Sequence, residues 1–188
     1  MRKLLLTGLM AAGLVFSGTA FAVDTEKTMD SEISQGTSQL SNSDLQFMKK
    51  AAQGGMLEVK LGNLATEQAA SEDVKKFGEE MVMDHSKVNK ELMQLASEKG
   101  VTLPKELDAE HQEKVDQLSK LSGAEFDRTY MSEMVKDHKK DIEDFQNQSN
   151  RTGDPDLKEF TSKTLPTLRD HMQKARNIAE EVGADQQP

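Results

Sequence analysis

The sequence predicts an all-α protein built around four long helices. The chain has 188 residues, with only 4 prolines and neither cysteine nor tryptophan. Beyond residue 43, Ala, Leu, Met, Glu and Lys dominate and β-branched residues are sparse, which is typical of helices. Apolar residues recur there at the spacing of one helix face, so each helix should bury one side against its neighbours.

The first two predicted helices cover about 44–70 and 72–98. Phe47 and Leu61 share the apolar side of the first helix, whose opposite side is polar. Ser71 stands at the N-cap of the second helix, where its hydroxyl can accept a hydrogen bond from a free backbone N–H group.

The last two predicted helices begin at recognisable caps. Ser122-Gly-Ala-Glu125 has the form of a capping box, and the helix that it opens runs to about residue 150. Asp154 precedes a proline at the N-cap of the fourth helix, which should stop at Gly183.

The connections between these helices predict their arrangement. The first and third links are only a few residues long, so the helices that they join should form antiparallel hairpins. The middle link, 101–122, is long and has room for a short extra helix over 105–120. Two hairpins joined by a long crossover make a ferritin-like four-helix bundle.

Both ends of the chain differ from this helical domain, 44–183. Residues 1–22 have the basic start, apolar run and small residues of a cleavable signal peptide. Residues 23–43 are polar and unpatterned, which predicts a disordered leader, and 184–188 form a short tail. We therefore expect a periplasmic or secreted protein, without a lipid anchor because no cysteine follows the signal.

Charge and composition exclude several classes of function. The net charge is −9, and it becomes more negative when the two basic residues of the signal are removed, so nucleic acid should be repelled. The lack of cysteine excludes disulfide scaffolds, thiolate nucleophiles and iron–sulfur ligation. No second run of apolar residues is long enough to span a membrane. A protein partner or self-association stays open.

One potential metal ligand falls on the apolar stripe of each helix, at about the same height in the bundle. These residues are Glu58, His85, His138 and His171. A buried carboxylate is costly unless it is compensated, and a cation would compensate it while using the imidazole lone pairs. The pattern predicts one Zn, Cu or Fe ion at mid-bundle. The alternative is a metal-free network of hydrogen bonds that only fixes helix packing.

Further residues could support this site. Met81, Met134 and Met172 lie close to the three histidines in sequence, and thioethers would favour copper. An aspartate precedes each histidine and could orient an imidazole of a neighbouring helix; these are Asp84, Asp137 and Asp170. Asp141, one turn after His138, is the next candidate ligand.

Three glycines lie on the inward side of the first helix, where they cost stability relative to alanine. They are Gly54, Gly55 and Gly62. We expect them to allow a close approach of the neighbouring helix.

Several segments in order resemble a known family. They are FMKKAAQGGMLEVKLGNLA, MVMDHSKVNKEL, KGVTLPKELDAEH, LSGAEFDRTYMSEMVKDHKK and KTLPTLRDHM. They resemble a family of secreted, ferritin-like bacterial proteins, domain of unknown function 4142, whose members are often labelled predicted outer membrane proteins. The resemblance covers about 44–180 and implies export and a ferritin-like bundle.

The wider ferritin-like group usually binds two irons through Glu-x-x-His pairs, and this chain departs from that pattern. Val82, Val135 and Leu168 stand three residues before the core histidines, and none of them can bridge metals. A mononuclear site is therefore favoured over a di-iron centre. The leading hypothesis is an exported copper- or zinc-binding protein in metal handling or stress response. A metal-free structural or stress-related interaction protein is the alternative, and a redox enzyme ranks third.

Overall fold

The computed structural model describes residues 40–184, and this part of the chain is an assembly of helices. They are α1 (Asn42–Gln68), α2 (Glu72–Glu98), α3 (Ala109–Leu118), α4 (Gly123–Arg151) and α5 (Pro155–Val182). The predicted all-α, ferritin-like bundle with a short helix in the crossover is confirmed. The expected signal peptide, most of the expected leader and residues 185–188 lie outside the described residues.

Helix α1 begins two residues before the predicted start, because a capping box that the sequence analysis missed opens it. The Ser41 hydroxyl accepts a hydrogen bond from the Asp44 N–H at 3.2 Å, and the Asp44 carboxylate accepts from the Ser41 N–H at 2.8 Å. Asp44 is buried and also accepts a hydrogen bond from Gln148 of α4, so the cap ties α1 to a neighbouring helix.

Two of the three predicted caps form. Ser71 accepts hydrogen bonds at the start of α2, and Asp154 accepts them from the Asp156 and Leu157 N–H groups at the start of α5. The predicted capping box of α4 is wrong. Within the described chain, Ser122 makes no side-chain cap, because Gly123 follows with a φ of 65° and turns the backbone into the helix without it.

Helices α1 and α2 form one hairpin, and α4 and α5 form the other. In the first hairpin, a Cβ on Gly62 would lie only 2.8 Å from the Gly78 carbonyl oxygen, so the two backbones touch there. Gly55 similarly leaves room for the side chain of Asn89. The expected close approach is wrong for Gly54, because a Cβ there would meet no described atom within 4 Å.

The interior of the bundle consists of two apolar clusters separated along its length. One contains Leu61, Phe77, Met81, Phe126, Tyr130, Met134 and Ala175, and the other contains Phe47, Leu92, Phe145, Phe160 and Leu168. On α2, α4 and α5 the change from one cluster to the other falls at His85, His138 and His171. On α1 it falls between Ala52 and Leu57, just before Glu58. A polar layer therefore crosses the core at mid-height.

The crossover is fixed to α1 at both ends. The Gln53 amide donates to the Glu106 carbonyl and accepts from the Asp108 N–H, each at 3.0 Å, and Gln68 donates to the Ser119 carbonyl. Helix α3 therefore lies over the side of the bundle beside α1 and α4. Across residues 40–184, none of the helices combines the length and apolar character that a bilayer crossing requires.

Candidate metal centre

The four side chains predicted to face inward form the polar layer, and all of them are buried. The exposed fraction is 4% for His85, 1% for Glu58 and zero for His138 and His171. One nitrogen from each histidine lies within 4.8 Å of the other two, so the imidazoles of α2, α4 and α5 converge. In each ring one nitrogen lies next to an oxygen atom, and this contact indicates which nitrogen carries the proton.

His138 is oriented by its own helix. Its Nδ1 lies 2.9 Å from the Met134 carbonyl oxygen, which can only accept, so Nδ1 carries the proton. The neutral ring then has its lone pair on Nε2.

His171 is oriented by the neighbouring helix α2. Its Nε2 lies 3.1 Å from the Asp84 carboxylate and donates to it, which leaves the lone pair of His171 on Nδ1. That nitrogen lies 3.4 Å from Nε2 of His138. Two nitrogens bound to a tetrahedral zinc ion at ~2.0–2.1 Å are about 3.3–3.4 Å apart, so the spacing suits two ligands of one ion.

His85 supplies the third inward nitrogen. Its Nδ1 lies 2.7 Å from Oε2 of Glu58, and its buried Nε2 has no hydrogen-bond partner among the described residues. A buried nitrogen without a partner is costly unless an ion or water completes it. Each of the three rings thus has one nitrogen held by an oxygen acceptor and the other free to coordinate, which is the usual arrangement of metal-binding histidines.

The electrostatics of the layer keep these rings neutral. Burial lowers the pKa of His85 and of His138 to about 4, and it lowers the pKa of His171. Burial also raises the pKa of Glu58 to about 7 and that of Asp141 to about 8. Near neutral pH the imidazole lone pairs are therefore available to a cation without competition from protons.

Glu58 does not belong to the group of three converging nitrogens. Its Oε2 lies 2.7 Å from Nδ1 of His85. Its Oε1 lies 3.6 Å from Nδ1 of His138 and has no hydrogen-bond partner in the described part of the chain. Glu58 thus lies beside His85 and His138 but outside the group of three nitrogens.

The three aspartates that precede the histidines have different neighbours. Asp84 contacts His171, whereas Asp137 faces Lys114 of α3 at 3.2 Å and Asp170 faces Lys174 of its own helix at 2.7 Å. The expected contact is one between an aspartate and the imidazole of another helix. Among residues 40–184, the structure gives that contact to Asp84 alone.

The methionines lie in the core around the layer. Met81 and Met134 are fully buried members of the cluster around Tyr130, and Met134 meets His138 through its backbone carbonyl. Met172 is also buried, at 7% exposure.

Two features of the site were missed from the sequence. Glu80 and Asp84 share one face of α2 and form with His171 a second group that could hold a cation; their spacing of four residues was the available signal. Tyr130 has a buried hydroxyl without a partner among the described residues, and its place in an apolar stripe suggested only packing.

Fold and site together define the class of protein. It is a ferritin-like four-helix bundle whose core is crossed by a layer of three histidines and one glutamate, with a geometry that could hold a metal.

The chain belongs to the family described as a domain of unknown function, DUF4142, whose pattern matches residues 30–178. The fold is similar to a crystal structure of a DUF305 fragment from Deinococcus radiodurans, with a TM-score of 0.67 and 13% identity. That alignment covers 76% of this chain and 98% of the fragment, and it concerns the fold alone. No curated protein matches the sequence.

Proposed function

We propose that this protein binds one transition-metal ion through His85, His138 and His171. The observation that carries the proposal is the 3.4 Å contact between His138 Nε2 and His171 Nδ1. Two lone pairs at that distance repel each other unless a cation or a proton lies between them, and the low pKa of His138 disfavours the proton.

The donor set favours Zn(II) or Cu(II). Three neutral imidazoles suit both ions, and the two carboxylates outside the group hold the rings in the coordinating tautomer. We assign this orienting role to Glu58 for His85, from their 2.7 Å contact, and to Asp84 for His171, from the hydrogen bond that it accepts. Three protein ligands leave a further coordination position for water or an exchanging ligand.

The setting that we propose for this activity is metal handling or stress response outside the cytoplasm. The support is the signal-like composition of residues 1–22. The proposed role is binding rather than catalysis.

The test is the metal content of the protein, purified without a His tag or chelator and measured by plasma mass spectrometry. We expect near-stoichiometric metal in the wild type and none in the triple variant His85→Ala, His138→Ala, His171→Ala. His111→Ala is the matched control, because His111 lies on α3 and bonds Asp108 outside the polar layer. Wild-type protein that also fails to bind added Zn(II), Cu(II), Cu(I) or Fe(II) would reject the proposal.

A metal-free structural layer is the second candidate. It is favoured by the 2.7 Å contact between His85 and Glu58 and by the hydrogen bond from His171 to Asp84, which need no ion. In that case His85→Ala should lower the stability of the metal-free protein, and added metal should stabilise neither the variant nor the wild type. If the protein binds metal, excess Zn(II) should raise the melting temperature of the wild type only.

A further inference from the structure

Two cavities of different size meet beside the polar layer. The larger one, of about 530 Å³, lies between α1, α3 and α4 and reaches outward to Lys50, His111 and Lys114. The smaller one, of about 20 Å³, lies inside the bundle against His85. A volume of that size holds about one water-sized species.

Three residues line both cavities and therefore lie where the two adjoin, a position that we call the neck. They are Gly54 and Glu58 of α1 and Asp141 of α4. The neck therefore consists of a glycine, which has no side chain, and two acidic residues.

Gly54 has no packing reason to be glycine. A Cβ at this position would meet nothing within 4 Å among the described residues, whereas at Gly55 and Gly62 it would collide with a neighbour. Glycine also destabilises a helix interior relative to alanine. A side chain at position 54 would instead occupy the open space where the two cavities adjoin.

The carboxylates give the neck a chemical preference. Oε1 of Glu58 is buried and has no hydrogen-bond partner within residues 40–184, and Glu58 as a whole is 1% exposed. An unpartnered carboxylate oxygen is a ligand for a cation. Asp141 supplies a second carboxyl group at the same place, and a cation bound there would displace its proton.

The four lysines that line the outer cavity are all paired with carboxylates. Lys50 and Lys140 share Asp144, at 2.6 Å and 3.2 Å. Lys114 and Lys136 share Glu133, and Lys114 also pairs with Asp137 at 3.2 Å.

From these observations we propose that the metal ion reaches the three histidines through this neck, with a transient cation site at Glu58 and Asp141. Gly54 keeps the passage open. This inference rests on the proposed metal binding and adds a route to it. It predicts that residues of the neck control the rate of exchange, whereas the histidines control the affinity.

The chain carries its own probe for the test. Tyr130 is the single tyrosine and there is no tryptophan, so the intrinsic fluorescence reports on this residue alone. Its ring centroid lies 6.2 Å from that of Phe77, which in turn lies 6.2 Å from that of His171. Cu(II) bound by the histidines should quench it.

The experiment is stopped-flow mixing with Cu(II), followed by removal of the ion with excess chelator. Gly54→Ala and Gly54→Leu should slow association and dissociation several-fold by a similar factor, leucine more than alanine, with the dissociation constant unchanged. Asp141→Asn should slow association several-fold. Lys60→Ala, on an exposed position of the same helix, is the control and should match the wild type.

The outcomes distinguish a failure of the route from a failure of the histidine site. Wild-type rates in both Gly54 variants would overturn the route while leaving the histidine site intact. A weaker equilibrium affinity with unchanged association would also overturn it, because the substitution would then act on the site. Failure of the wild type to bind Cu(II) would overturn the route together with a Cu(II) site, and repeating the exchange with Zn(II) would show whether any metal site exists.

Discussion

The imidazoles of His138 and His171 face each other across the core with Nε2 and Nδ1 3.4 Å apart, and in each ring the other nitrogen is already used. His138 donates to the carbonyl one turn before it, and His171 donates to Asp84 of the opposite hairpin. The contact therefore joins two hydrogen-bond acceptors. A cation bound between these two nitrogens would replace the repulsion of their lone pairs with two coordination bonds.

Asp84→Asn should weaken metal binding about 10- to 100-fold, the usual effect of losing an acceptor that orients a ligand histidine. Asn can present its NH₂ group and so favour the wrong tautomer of His171. The measurement is a competition titration with a chelator of known affinity. Asp170→Asn is the matched control, because Asp170 also precedes that histidine but faces Lys174. Equal losses in both variants would contradict the role of Asp84.

Asp154→Ala should destabilise the protein by about 1–2 kcal/mol at pH 7, because it removes the N-cap of α5. Asp154 is 1% exposed and also accepts a hydrogen bond from Lys99 at 2.7 Å. Urea unfolding of both proteins is the measurement. Ser122→Ala is the control and should change little, since Ser122 makes no side-chain cap in the described structure.

The same carboxylate predicts a pH dependence. Burial alone would raise the pKa of Asp154, but hydrogen bonds from Lys99 and the Leu157 N–H lower that pKa below the usual value of an aspartate. Its contribution to stability is therefore present above about pH 4 and lost as the pH falls through the folded-state pKa. The difference between wild type and Asp154→Ala should shrink when the unfolding curves are repeated near pH 2–3. A constant difference would show that the charge of Asp154 is unimportant.

Gly62→Ala and Gly54→Ala should change stability in opposite directions. At position 62 a Cβ would lie 2.8 Å from the Gly78 carbonyl oxygen, a backbone atom, so the variant should lose about 1–3 kcal/mol through overpacking. At position 54 the space is open, and alanine should gain about 0.5–1 kcal/mol from helix propensity. Thermal melting of the two variants checks both signs, and a stable Gly62→Ala would contradict the close approach of α1 and α2.

Tyr130→Phe should be neutral or stabilising by up to about 1 kcal/mol, because it removes a buried hydroxyl that has no partner among residues 40–184. Metal affinity should not change. Chemical unfolding followed by circular dichroism is the measurement, since the variant loses its fluorescence. A loss of metal affinity would instead show that the hydroxyl supports the site.

The sequence predicts the long helices and the polar layer well because both depend on helical periodicity. Positions 58, 85, 138 and 171 face inward whatever the rotamers are, so their convergence follows from spacing and link length. The structure adds the direction of each hydrogen bond, which depends on side-chain rotamers and on the neighbouring helix. For this reason the sequence predicts that Glu58 faces the centre of the bundle but does not predict its contact with Nδ1 of His85.

The aspartates illustrate the same limit. Asp84, Asp137 and Asp170 all stand one residue before a core histidine, yet their partners are an imidazole, a lysine of the crossover helix and a lysine of the same helix. The sequence pattern fixes the angle of each side chain to its own helix axis, but the partner depends on which helix lies next to it. The prediction of a capping box at the start of α4 failed for a related reason, because the residue pattern does not specify the positive φ that Gly123 adopts inside that motif.

The three converging imidazoles come from α2, α4 and α5, and thus from both hairpins. The chain has no cysteine, so it cannot join its hairpins covalently. One ion held by these rings would link segments that are far apart in the sequence. Because the site is formed only in the folded chain, the free energy of metal binding would add to the free energy of unfolding. The rigidity of the protein would then rise and fall with the metal supply around it.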